Sequence, residues 1–74
     1  MAGRRLIKRF TNGLHAVKVY FDYSQEEFQA EYHIDGQRQE ALTYYTTDED
    51  DALRTAQRML FDYIAPITVN SYNS

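Results

Sequence analysis

Thr47-Asp48-Glu49-Asp50-Asp51, followed by apolar positions at Ala52, Leu53, Ala56, Met59, Leu60, Tyr63 and Ile64 and closed by Pro66, spells one capped amphipathic helix. Thr47 or Asp48 supplies the cap, with Asp50 or Asp51 three residues on. The four consecutive acids fill the first turn, where the positive end of the helix dipole favours them. At ~100° per residue the apolar positions cover an arc of about 140°, a core-facing stripe that leaves Phe61 outside it. The helix is expected to end before Pro66. Beyond it, Ile67-Thr68-Val69 has strand character, suited to covering Phe61 or adding to a sheet, and Asn70 to Ser74 are expected to fray.

Nearly everything before Thr47 alternates with a period of two, so the helix is the lid that a small antiparallel sheet needs to bury one face. Val17, Val19, Phe21 and Tyr23 point one way, with Ala16, Lys18, Tyr20 and Asp22 opposite. After the polar Ser24-Gln25-Glu26-Glu27 turn, Phe28, Ala30, Tyr32 and Ile34 repeat the inward row while Gln29, Glu31 and His33 face out. Asn12-Gly13 is a strong type I′ hairpin signal, since both central positions need φ > 0. With it, Arg5 to Thr11 becomes a first strand in which Phe10 faces His15, Lys8 faces Val17 and Leu6 faces Val19. Leu6 and Phe10 then join the inward row and Lys8 intrudes on it, tolerable on an edge strand.

The turn at Asp35-Gly36 sets the register of the last strand. A two-residue loop would pair Phe28 with Thr43 and push Leu42 and Tyr44 outward. A three-residue loop of Ile34, Asp35 and Gly36, with Gly36 as an αL bulge, pairs Phe28 with Leu42 and turns Tyr44 inward. Burying Leu42 and most of Tyr44 is worth roughly 1.5 to 3 kcal/mol each, more than the preference between two common loops. The bulged loop is therefore expected, with Glu40 on the inward row and the strand ending at Tyr45. The fold class is α+β: a four-stranded antiparallel β-meander (ββββα) with one C-terminal helix packed on one sheet face. Residues 1–74 form one domain, flexible at 1–4 and 70–74.

A 74-residue chain hides only about 60% of the surface its unfolded form exposes, which leaves a thin core and a stability of ~3 to 5 kcal/mol. It has no cysteine, hence no disulfide framework and no thiolate metal site, so association with a partner or a second copy is a natural source of added stability. Cysteine absence fits a reducing cytoplasm. No apolar run reaches the ~7 to 15 residues of a signal core or the ~20 of a membrane span, so no membrane association is expected.

Catalytic chemistry finds little footing. His15 is expected inward near a sheet edge and His33 outward beside a turn, and neither stands beside a cysteine nucleophile. Asp48-Glu49-Asp50-Asp51 lacks the spacing and the distal glutamate of a calcium loop and reads as a dipole complement. The carboxylates Glu26 and Glu27 have nothing local to split their pKa values, and the glycines are isolated, without a phosphate-binding loop. The chain reads as a non-enzyme with no cofactor and no metal.

Surface remains. The outward sheet face offers Lys18, Tyr20, Glu31, His33 and Tyr45, and tyrosine gives a large contact area at low entropy cost. Phe61 is a second anchor. The expected function is a small non-catalytic protein-interaction or regulatory module, a format shared with phage and accessory proteins, whose partner is another protein. The net charge of −3 is unevenly spread: Arg4, Arg5, Lys8 and Arg9 form a basic arm on an acidic body. A nucleic-acid-binding module is thus the alternative, with that arm on phosphates and Tyr20 or Tyr45 stacked on bases. A structural homodimer, paired through a sheet edge or face, is the third.

Overall fold

The computed structural model describes the backbone of residues 3–73 and the side chains through Asp62. It shows an antiparallel sheet with one C-terminal helix packed on it. The strands are β1 (Arg4–Asn12), β2 (His15–Asp22), β3 (Glu27–Ile34), β4 (Gln37–Arg38) and β5 (Tyr44–Thr46), followed by α1 (Glu49–Asn73). β1, β2 and β3 form a meander, and the far edge of β3 is shared by the short strands β4 and β5. The expected fourth strand is therefore present in two pieces, split by a 3-10 turn at Glu40–Leu42.

That turn is how the chain settles the register. Asp35 and Gly36 take φ of +53° and +81°, a two-residue loop that pairs Ile34 with Gln37, not the expected three-residue loop with Ile34 inside it. Continued straight, this pairing would turn Leu42 and Tyr44 outward. The 3-10 turn adds three residues, so Phe28 pairs with Thr46 in place of Thr43, and an odd shift exchanges the two faces. Leu42 packs on the core, Tyr44 falls on the helix side and Tyr45 on the open side. Leu42 is packed on the core at the cost of an interrupted ladder, whereas Tyr44, expected to be mostly buried, stays 36% exposed on the helix side.

The first hairpin shifts as well. Asn12 pairs with His15, so the loop is Gly13-Leu14 and not Asn12-Gly13; only Gly13 has positive φ (+62°), the pattern of a type II′ turn. The shift of two in register leaves the faces unchanged and sets Phe10 against buried Val17 in place of His15. Between Leu6 and Lys8 the pairing slips by one residue, leaving Ile7 unopposed. This bulge lets both Ile7 and Phe10 reach the core from positions three apart, which a regular strand forbids. Leu6, expected inward, is instead turned to the open face at 51% exposure, and Arg4 goes with it.

Asp22 ends β2 by accepting from the backbone and hydroxyl of Ser24 at 2.9 and 2.7 Å and from the Gln25 amide at 3.1 Å, a side-chain-built turn. Tyr23 N–H donates to the Gly3 carbonyl at 2.9 Å and Arg4 opens β1, so residues 3 and 4, expected to be flexible, are tied to the sheet; residues 1, 2 and 74 lie outside the described residues.

Asp48 caps α1, its Oδ1 accepting from the Asp50 amide at 2.9 Å, and Thr46 Oγ1 accepts from Asp48 N–H at 3.2 Å. Ala52 and Ala56 are fully buried against Val17, Val19, Ala30 and Tyr32, with Leu53, Met59 and Leu60 at the margin. Small residues in the N-terminal turns of the helix let α1 approach β2 and β3, on which it chiefly packs. Tyr63 and Ile64 lie outside the described side chains. α1 does not stop before Pro66, and no strand forms at 67–69. A proline costs an interior turn about 3 kcal/mol, but its own φ is helical and β-branched residues carry only a few tenths of a kcal/mol against a helix, so propensity is a weak guide there. Among the described residues no helix is long and apolar enough to cross a membrane.

Candidate functional site

The face opposite α1 is built by the outward positions of β1, β2, β3 and β5. One cross-strand row runs Leu6, Tyr20, Gln29, Tyr45, each paired with the next. Tyr45 is 53% exposed and Leu6 nearly as much, so two large apolar groups stand at the ends of that row on an uncovered sheet. Tyr20 lies between them, half-buried, with the Arg4 guanidinium 4.1 Å above its ring.

The next row on this face holds a group that a simple outward reading misses. Glu31 is expected to be solvated, yet it is only 2% exposed, on the side of the sheet with no helix. Its carboxylate accepts a hydrogen bond from Arg4, and Arg38 Nη2 stands 3.6 Å from the same oxygen. His33 Nε2 lies 3.4 Å from the other oxygen without the alignment of a hydrogen bond, and it is buried. A carboxylate shielded this well needs cations around it, and here they fold over it from both edges of the sheet. Arg4 also donates to Gln29 Oε1 at 3.0 Å, and Gln29 Nε2 donates to Asp22 Oδ2 at 3.0 Å. The hydrogen bond to Glu31 is the main reason Arg4 is held still more firmly in its charged form than a free arginine.

Of the residues expected to meet a partner, Tyr20, Tyr45, Lys18, Glu31 and His33 do share the open face. Glu31 and His33 sit beneath the arginines, so a docked molecule would meet Arg4 and Arg38 first. Phe61 is apart from all of them: it projects from the outer side of α1 at 70% exposure, across the molecule. The basic arm is likewise divided. Arg4 and Arg9 fall on the open face beside Asp22 and Lys18, whereas the bulge and pleat turn Arg5 and Lys8 to the helix side, beside Phe21 and Val19. Sequence reasoning missed the Arg4–Glu31 contact because it depends on the bulge at Ile7, a one-residue slip with no composition signal.

Among the described residues, no group of three His, Asp or Glu side chains gathers in a way that could hold a metal ion. His15 Nδ1 is 2.7 Å from the Tyr32 hydroxyl, which places it in the core-side network. Comparisons with protein-family models, curated proteins and solved structures give no match to this chain.

Proposed function

We propose that this chain is a small non-catalytic, cytoplasmic protein-interaction module that docks another protein on its open sheet face. The observation that supports the reading is the row Leu6–Tyr20–Gln29–Tyr45, in which exposed apolar groups end a row on a sheet surface that no element among the described residues covers. Tyrosine and arginine are the residue types that dominate interface energetics, and Tyr20 and Tyr45 stand here with Arg4, Arg9 and Arg38. Arg4 is pre-positioned by Glu31 and stacked on Tyr20, so little side-chain entropy is lost when a partner covers it.

The test is an affinity capture comparing the wild type with a Leu6→Ser plus Tyr45→Ser variant, both positions being exposed enough to leave folding intact. Loss of a reproducible partner from the variant supports the reading. Capture of the same partners by both proteins rejects it. Sedimentation of the free chain separates a hetero-partner from self-pairing, since a dimer that dissociates on the double substitution would assign this face to a second copy.

A further inference from the structure

A different surface lies at the edge of the sheet. β1 pairs only with β2, so a nine-residue strand leaves one side of its backbone unpaired. Because α1 sits mainly over β2 and β3, the underside of β1 overhangs the helix and leaves two open clefts beside it. One, of about 330 Å³, is walled by Ile7, Phe21, Tyr23 and Phe28, with Arg5 and Glu49 at its margin. The other, of about 260 Å³, lies between Lys8 and Phe10 of β1 and Asp50, Leu53, Arg54 and Gln57 of α1. The first is mainly apolar, the second sets Phe10 and Leu53 among charged and polar groups, and both are bordered by residues of β1.

The charges of β1 itself have one sign, while Glu49 and Asp50 border the clefts from the helix side. Arg4, Arg5, Lys8 and Arg9 are all on β1, which carries no acid, and Arg5 and Arg9 make no ion pair among the described residues. Arg4 and Arg9 stand above the strand plane and Arg5 and Lys8 below it, so any strand laid along this edge meets positive charge on both sides. Like charges facing each other disfavour a second copy pairing through β1, the usual function of charged edge strands. An oppositely charged strand meets no such barrier.

We infer that the free edge of β1 is a strand-addition site for an extended acidic segment of a partner protein, one that alternates apolar and acidic residues. Main-chain hydrogen bonds to β1 supply binding, and alternate apolar side chains drop into the two clefts against Phe10, Leu53 and the Phe21–Tyr23–Phe28 cluster. The acidic side chains in between lie beside Arg9 on the open side, where Arg4 is already engaged by Glu31 and Tyr20. The bulge between Leu6 and Lys8 interrupts the ladder, so the segment pairs in two short stretches, the longer along Lys8–Asn12, and its binding is strongly salt dependent. This surface is separate from the row ending in Tyr45, and its test is independent of that reading.

The experiment uses the full chain and a labelled synthetic peptide of alternating valine and glutamate, followed by fluorescence anisotropy and by amide hydrogen exchange of the isotope-labelled protein. Saturable binding, slowed exchange at residues 8–12 and a loss of affinity of roughly tenfold or more in Arg5→Glu plus Arg9→Glu are expected. Tyr45→Ser leaves this binding unchanged. Equal binding of a peptide with the same composition but its valines and glutamates in separate blocks would overturn the inference, because charge alone would then suffice. So would tighter binding of a single-stranded oligonucleotide of equal charge that slows no amides in β1, which would make the arm a phosphate contact.

Discussion

The two faces of β3 are buried by opposite means. Toward α1, Ala30 and Tyr32 are fully covered by apolar side chains and by two alanines of the helix. Away from it, Gln29 and Glu31 are almost as thoroughly covered, although no helix lies there, by Arg4 and Arg38 reaching over from β1 and β4 and by His33 of β3 itself. The first face is stabilised by removal of apolar area from water, a term without direction. The second depends on directional contacts whose Coulombic gain is set against the desolvation of a carboxylate. Coverage on the apolar face should therefore determine whether the chain folds, and coverage on the polar face how rigidly its surface is presented.

Placing a charge on the apolar face is the harshest way to break the comparison. Ala56→Asp puts a carboxylate among Val17, Val19 and Tyr32 with no cation at hand, a cost of about 4 kcal/mol or more. Against a total of ~3 to 5 kcal/mol the chain should be largely unfolded at room temperature, visible as lost near-ultraviolet circular dichroism. A normal urea transition in this variant would show that the helix is not the lid. The polar face should respond less: Arg4→Met leaves Glu31 with Arg38 and His33 only, and because Arg4 is itself partly exposed the loss is about 1 to 3 kcal/mol. Glu31→Met removes the buried charge altogether and should change stability by less than about 1 kcal/mol, and adding it to Arg4→Met should restore most of what that change lost. If Glu31→Met proves as damaging as Ala56→Asp, the two faces are not different in kind.

What was legible in the sequence follows the same division. Burial of apolar residues has a period, so the helix stripe, the inward rows of β2 and β3 and the final orientation of Leu42, Tyr44 and Tyr45 could all be read. Where two backbone solutions satisfy the same burial, the pattern does not choose between them. The Gly13-Leu14 loop preserves the faces that Asn12-Gly13 would have given, and the 3-10 turn at Glu40–Leu42 achieves what a bulged loop was expected to achieve. The bulge at Ile7 was invisible for another reason: it exchanges Leu6 for Ile7, two residues of similar hydrophobicity, and its visible consequence is a charge contact between Arg4 and Glu31, twenty-seven residues apart. Charge contacts carry no periodicity, so the site's tyrosines and Glu31 could be named, but not the burial of that carboxylate beneath Arg4.

A finer separation of the faces comes from pH. On the helix side Tyr44 donates a hydrogen bond to Asp51 Oδ2 at 2.6 Å, joining β5 to the first turn of α1. The hydroxyl of Tyr44, followed by that of Thr46, holds the Asp51 carboxyl below its ordinary 3.8. The same carboxylate raises the Tyr44 phenol above its ordinary 10.0. The signs give two limbs. Asp51 contributes stability that is present above its unfolded value and fades as pH falls through the lower folded one, whereas Tyr44 contributes stability present below pH 10.0 that fades as pH rises through its higher folded value. Tyr44→Phe should flatten the alkaline limb and shorten the acid one. It should not abolish the acid limb, because Asp22, lowered chiefly by the Ser24 hydroxyl and the Gln25 amide at the end of β2, titrates in the same direction. Urea midpoints measured from acid to alkaline pH read both limbs in one series. An alkaline limb unchanged in Tyr44→Phe would mean that the Tyr44–Asp51 hydrogen bond adds nothing to the hold of β5 on α1, and that apolar contact alone determines folding on the helix side.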